Sequence, residues 1–170
     1  MKKIIALYLC VAMTLFFCSC GSCQSDRSTS TLDILCELLA YSGEDTDGNG
    51  IIYSSDSEEG ETGFFTRDTA ISMYGEKRVN ECFKLIEEFA VFTATRELGE
   101  VAVFRCYSSS DTDLISAMFM ERADDIKVSL RNGKYEEKSS NIRVQIKGHY
   151  VLFSFVNNND KLVERFNKTV

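Results

Sequence analysis

The stretch Glu87–Tyr107, EEFAVFTATRELGEVAVFRCY, constrains the fold most. Two apolar runs, Phe89–Phe92 and Val101–Phe104, flank a polar segment, Thr93–Glu100, that contains Gly99. Runs of Val, Phe and Ala bounded by turn-forming residues predict buried strands. The stretch therefore reads as a β-hairpin, and the rest of the chain must pack on it or carry it. A second hairpin follows. Ile142, Val144 and Ile146 alternate with Arg143, Gln145 and Lys147, which predicts a strand with one buried and one wet face. Gly148-His149 supplies a two-residue turn. Tyr150–Val156 is apolar apart from Ser154, as in a strand covered on both faces.

Helical periodicity links the hairpins. Ser110 and Asp113 mark a helix start, and Ile115, Met118, Phe119, Arg122 and Ile126 form one stripe that ends at Asn132-Gly133. Gly133–Ser140 reads as a charged loop, and Leu162, Val163 and Phe166 predict a last short helix. Upstream, Leu32, Leu35, Leu38 and Leu39 predict a helix after a cap at Ser30. Thr66 caps a second one, Arg67–Tyr74, before Gly75. Val79–Ile86 fits helical spacing but runs straight into the strand at Phe89. The fold class is thus α+β. Its core is β-β-α-β-β-α, an antiparallel four-stranded sheet with helices on one face, preceded by a helical and loop N-terminal part.

The N-terminus predicts export. Met1-Lys2-Lys3 is a basic start and Ile4–Phe17 an almost unbroken apolar run. That run is too short for a spanning helix, which needs ~20 residues, and fits a signal peptide. Ser19-Cys20 suggests the lipoprotein variant, with the Cys20 thiol taking diacylglycerol; Cys23 is the second candidate. The expected domains are a signal peptide over 1–19, a polar tether over 20–29 and one α+β domain over 30–170. The expected location is the outer side of a cell membrane, held there by lipid. A net charge of −7 and no basic stripe argue against a nucleic-acid partner.

One motif points to a metal. Asp45-Thr46-Asp47-Gly48-Asn49-Gly50-Ile51 copies the opening of an EF-hand loop, with Asp56 at the twelfth position. Ca2+ would be held by Asp45, Asp47, Asn49, the Ile51 carbonyl and Asp56. Against this stand the shorter Asp at the final position and the Gly- and acid-rich Ser57–Gly63, a poor second helix. Asp, Asn and Gly also form tight turns on their own account.

Residues for catalysis are sparse. His149 is the only histidine and sits in a turn; Cys36, Cys82 and Cys106 are widely spaced. Two of the three could pair outside the membrane, and Cys106 in a strand suits a small buried apolar role. Glu87 and Glu88 are adjacent on a strand, which would point them to opposite faces. The expectation is no catalytic residue and a non-enzymatic binding or accessory domain with an envelope protein as partner. A calcium-responsive module and a hydrolase or thiol enzyme using His149 or a cysteine are the alternatives. Function would lie in loops or on the sheet face bearing Arg143, Gln145 and Lys147.

Glu100-Val101-Ala102-Val103-Phe104-Arg105 matches an E-[IV]-A-V-F-[KR] strand, and Lys147–Phe153 matches K-G-x-Y-V-x-[LF]. Tyr53–Ser55 and Tyr74-Gly75 follow a Y-x-S and a Y-G pattern. In these features the chain resembles, over about Leu32 to Phe166, a family of uncharacterised clostridial-type lipoproteins defined by a domain of unknown function. The resemblance implies location and fold class and brings no activity or site residues.

Overall fold

The computed structural model describes residues 29–42, 50–95 and 98–170. The signal-like segment with Cys20 and Cys23 lies outside the described residues, as do Asp45, Asp47 and Asn49. Helix α1 (Thr31–Ser42) precedes strand β1 (Gly50–Ser54), helices α2 (Arg67–Tyr74) and α3 (Glu76–Cys82), and strands β2 (Ile86–Ala94) and β3 (Glu100–Cys106). Helix α4 (Thr112–Leu130), the single turn α5 (Glu136–Ser139), strands β4 (Arg143–Lys147) and β5 (Tyr150–Phe155) and helix α6 (Asn159–Thr169) complete the chain. Among the described residues, no helix is long and apolar enough to cross a membrane.

Both hairpins form, and the fold is α+β with one antiparallel sheet. In the first, Thr93 faces Glu100 and the Ala94 N–H donates to the Gly99 carbonyl at 2.9 Å. In the second, Gly148 takes φ 58°, a left-handed value that glycine adopts without steric cost, so the chain reverses in two residues. The ambiguous segment Val79–Ile86 splits: α3 runs to Cys82, a 3₁₀ turn covers Phe83–Leu85, and β2 starts at Ile86. Gly133–Ser140 is not wholly loop, because Glu136–Ser139 closes one helical turn.

The sheet has five strands, not four, in the order β1-β2-β3-β5-β4. The added edge strand is β1, whose Ile51-Ile52-Tyr53 pairs with Thr93, Phe92 and Val91. A run this short between Gly- and Asp-rich turns carries too little pattern to predict a strand. Its pairing partner, which lies far along the chain, stabilises it. Gly50 is required there, because a Cβ would come within 2.2 Å of the Phe92 ring.

Helices cover both sheet faces, not one. Side chains alternate along each strand, so β3 sends Ala102 and Phe104 to one side and Val101 and Val103 to the other. The first side packs under Tyr74, Ile115 and Phe119 of α2 and α4, with Phe104 and Phe119 ring centroids 4.9 Å apart. The second packs under Ile34, Leu38, Leu162 and Phe166 of α1 and α6. The face bearing Arg143, Gln145 and Lys147 is therefore not open. Arg143 pairs with Asp160 at 3.1 Å and the Lys147 ammonium donates to the Asn167 carbonyl, both on α6. The continuous apolarity of Tyr150–Val156 is explained by this double cover, since Val151 to Val156 are all buried.

Candidate functional site

Two carboxylate–arginine clusters hang from the first hairpin, one on each face of the sheet. The first sits where β2 begins. A register shift between Ile86 and Glu88 marks a β-bulge. A bulge breaks strict alternation and re-aims side chains. Contrary to the expectation from alternation, Glu87 and Glu88 therefore meet one partner: Arg105 Nε lies 3.1 Å from Glu87 Oε2 and Arg105 Nη2 2.7 Å from Glu88 Oε2. The other Glu88 oxygen accepts from the Thr31 N–H at 2.8 Å, at the start of α1. A carboxylate there satisfies an otherwise orphan helix N–H and complements the helix dipole. The Tyr150 hydroxyl is hydrogen-bonded to Arg105 and donates to the Thr29 carbonyl at 2.9 Å. This cluster fastens the start of the domain to the sheet.

The second cluster lies on the opposite face. Glu100, the first residue of β3, is buried beneath α2 and α4. The Tyr74 hydroxyl donates to Glu100 Oε1 at 3.2 Å and Arg122 Nη2 to Glu100 Oε2 at 3.0 Å. Burial pushes the Glu100 carboxyl above the ordinary carboxylate range, and the Arg122 charge only partly offsets this. Burial likewise pushes the Tyr74 phenol well up, reinforced by the Glu100 charge. Among the described residues, Arg122 makes a single hydrogen bond, and its Nε is buried without a partner.

Glu100 and Arg122 form the polar part of the wall of a cleft of about 280 Å³. The rest is mostly apolar: Met73, Leu98, Ile126, Leu130 and Phe155, with the hydroxyls of Thr93 and Ser129. Leu98 stands at its rim, 42% exposed. An apolar cleft with a few convergent polar groups and a perturbed titratable residue has the make-up of a binding site. Arg122 also borders a second, more polar cleft that holds Arg78, whose guanidinium pairs with Glu121 at 2.6 Å and Asp125 at 2.8 Å.

Of the residues singled out by sequence, those that are described do not line the cleft bordered by Glu100 and Arg122. Ile51 lies within β1, opposite Thr93. Asp56 lies in the turn after it, with its N–H donating to Ser54 Oγ at 3.1 Å. From Asp56 to Gly63 the chain forms bends and turns, so no helix leaves the EF-like segment directly. Among the described residues, no group of three His, Cys, Asp or Glu side chains is placed to hold a metal.

Cys36, Cys82 and Cys106 are free thiols. Cys36 is exposed on α1, while Cys82 and Cys106 are buried in the core of the opposite face, so the three cannot converge. Burial pushes the Cys106 thiol up to about 11, away from thiolate character. His149 approaches the Cys106 backbone carbonyl, Nδ1 to O 3.4 Å.

Sequence reasoning treated Glu100 as part of a strand pattern, and Tyr74 and Arg122 as members of helix faces. The available signal was a lone cation inside the apolar stripe of α4. Comparison with family models, curated proteins and solved structures returned no match for this chain.

Proposed function

We propose that the chain is an exported, lipid-anchored binding domain, and that its ligand seat is the cleft bordered by Glu100 and Arg122. The cleft carries the reading: apolar walls surround a guanidinium whose donors are largely unfilled among the described residues, a combination suited to holding a ligand. The anchor at Cys20 rests on Ser19-Cys20 following the apolar run, and on the resemblance to clostridial-type lipoproteins. A raised Cys106 thiol and a turn-borne His149 favour binding over thiol chemistry.

Two measurements test this reading. Expression of the full chain in a bacterial host with labelled palmitate should give a labelled, membrane-bound protein, and Cys20→Ala should remove the label. An unlabelled, freely released wild type would overturn the anchored part. For the seat, Leu98→Asp places a charge on the cleft rim and should weaken binding of cleft ligands. Ligand binding that leaves the Leu98, Ile126 and Leu130 resonances unmoved would overturn that part.

A further inference from the structure

Among the described residues of the cleft, Arg122 has hydrogen-bonding capacity to spare. Both Glu100 oxygens already accept, from Tyr74 and Arg122, so the carboxylate is not an open acceptor for a cation. Arg122 is the reverse. A guanidinium carries five N–H donors, and this one spends a single donor among the described residues while its side chain is 25% exposed. Such a fork matches an oxyanion by two parallel hydrogen bonds, which are stronger than neutral ones. The walls beside it are Met73, Leu98, Ile126 and Leu130, which favour a hydrocarbon segment. Size sets the scale: at ~30 Å³ per water-sized group, about 280 Å³ accepts roughly nine such groups.

We propose that this cleft takes a short amphipathic monocarboxylate, with the carboxylate on the Arg122 guanidinium and the apolar tail along Met73, Leu98, Ile126 and Leu130. The proposal rests on the cleft being the ligand seat. It adds the chemical class: a charged head on a tail of about eight carbons, not a sugar, a cation or a neutral alcohol.

Octanoate and octanol are the probes. They share a tail and differ at the head. Titration of the isotopically labelled exported domain with each should move the Leu98, Ile126 and Leu130 methyl resonances. Octanoate should bind at least tenfold more tightly. Arg122→Gln should erase that tenfold preference while octanol still binds. Leu98→Asp, on an exposed rim where folding is not at risk, should weaken octanoate more than octanol through charge repulsion. Equal binding of the two probes would overturn the carboxylate class and leave the cleft as a seat. No methyl movement with either probe, in a protein that melts cooperatively, would overturn both this inference and the reading beneath it.

Discussion

The two arginines beside the first hairpin solve opposite problems. Arg105 is ringed by partners: Glu87, Glu88 and Tyr150, and through them Thr29 and Thr31. Arg122 meets Glu100 and, among the described residues, donates no further hydrogen bond. A cation with its donors filled holds a fold together, because each lost contact strands a polar group. A cation with donors left over beside an apolar cleft can accept something from outside. Similar chemistry on two faces of one sheet thus separates into a fastening and a seat, and the difference lies in how much of each guanidinium is already used.

The sharpest way to break the comparison is to empty the seat's base. Glu100→Ala strips both Tyr74 and Arg122 of their partner in an apolar layer. Breaking a buried pair from one side costs about 3 kcal/mol, the lower end of the usual range because Arg122 is part-exposed. At ~2–4 °C per kcal/mol for a domain of this size, the melting temperature should fall by roughly 10 °C. A melt within two degrees of wild type would show that Glu100 does not organise this face.

The fastening should respond less and in a different place. Glu88→Ala removes one carboxylate from Arg105 and the acceptor of the Thr31 N–H. A lost cap and a part-buried ion pair together cost about 1–2 kcal/mol. Hydrogen exchange should quicken at Thr31 and Leu32 and stay unchanged at Arg122 and Ile126. Faster exchange at the cleft instead would couple the two clusters and erase the distinction.

A pH series sharpens the same contrast with a smaller effect. Glu100 titrates above the ordinary carboxylate range in the fold, so the folded state holds its proton more tightly than the unfolded chain does. Its contribution is fully present below the unfolded carboxylate pKa and is lost as pH rises through the raised value. Glu100→Gln should therefore flatten the loss of stability as pH rises above the ordinary carboxylate range. Identical slopes in wild type and Glu100→Gln would contradict the burial of that proton.

The smallest expected effect concerns calcium. Calorimetry of the metal alone against the full chain should give no heat at millimolar Ca2+, because the bends and turns from Asp56 to Gly63 leave the EF-like segment without its exiting helix. Saturable heat that vanishes in Asp45→Asn would establish the metal site.

The hairpins, α4 and α6 were legible because a period of two or of 3.6 is a local property that survives without tertiary context. What escaped depended on distant partners. Ile51-Ile52-Tyr53 becomes a strand only by pairing with Val91–Thr93. The leucines of α1 announce an apolar face, yet nothing local says that it covers the far side of the sheet. Alternation misplaced Glu87 and Glu88, because a bulge is invisible in a two-residue pattern. Glu100, Tyr74 and Arg122 come from three elements, and only the fold assembles them. The arginine in the α4 stripe was the one local hint, since a charge among core positions requires a partner.

The most direct test of the division of labour between the two arginines is the octanoate-induced rise in melting temperature, measured on Arg105→Gln and Arg122→Gln side by side. The account predicts that Arg105→Gln melts lower than wild type and keeps the full octanoate-induced rise, whereas Arg122→Gln loses the rise. Loss of the rise in Arg105→Gln, or its survival in Arg122→Gln, would contradict it.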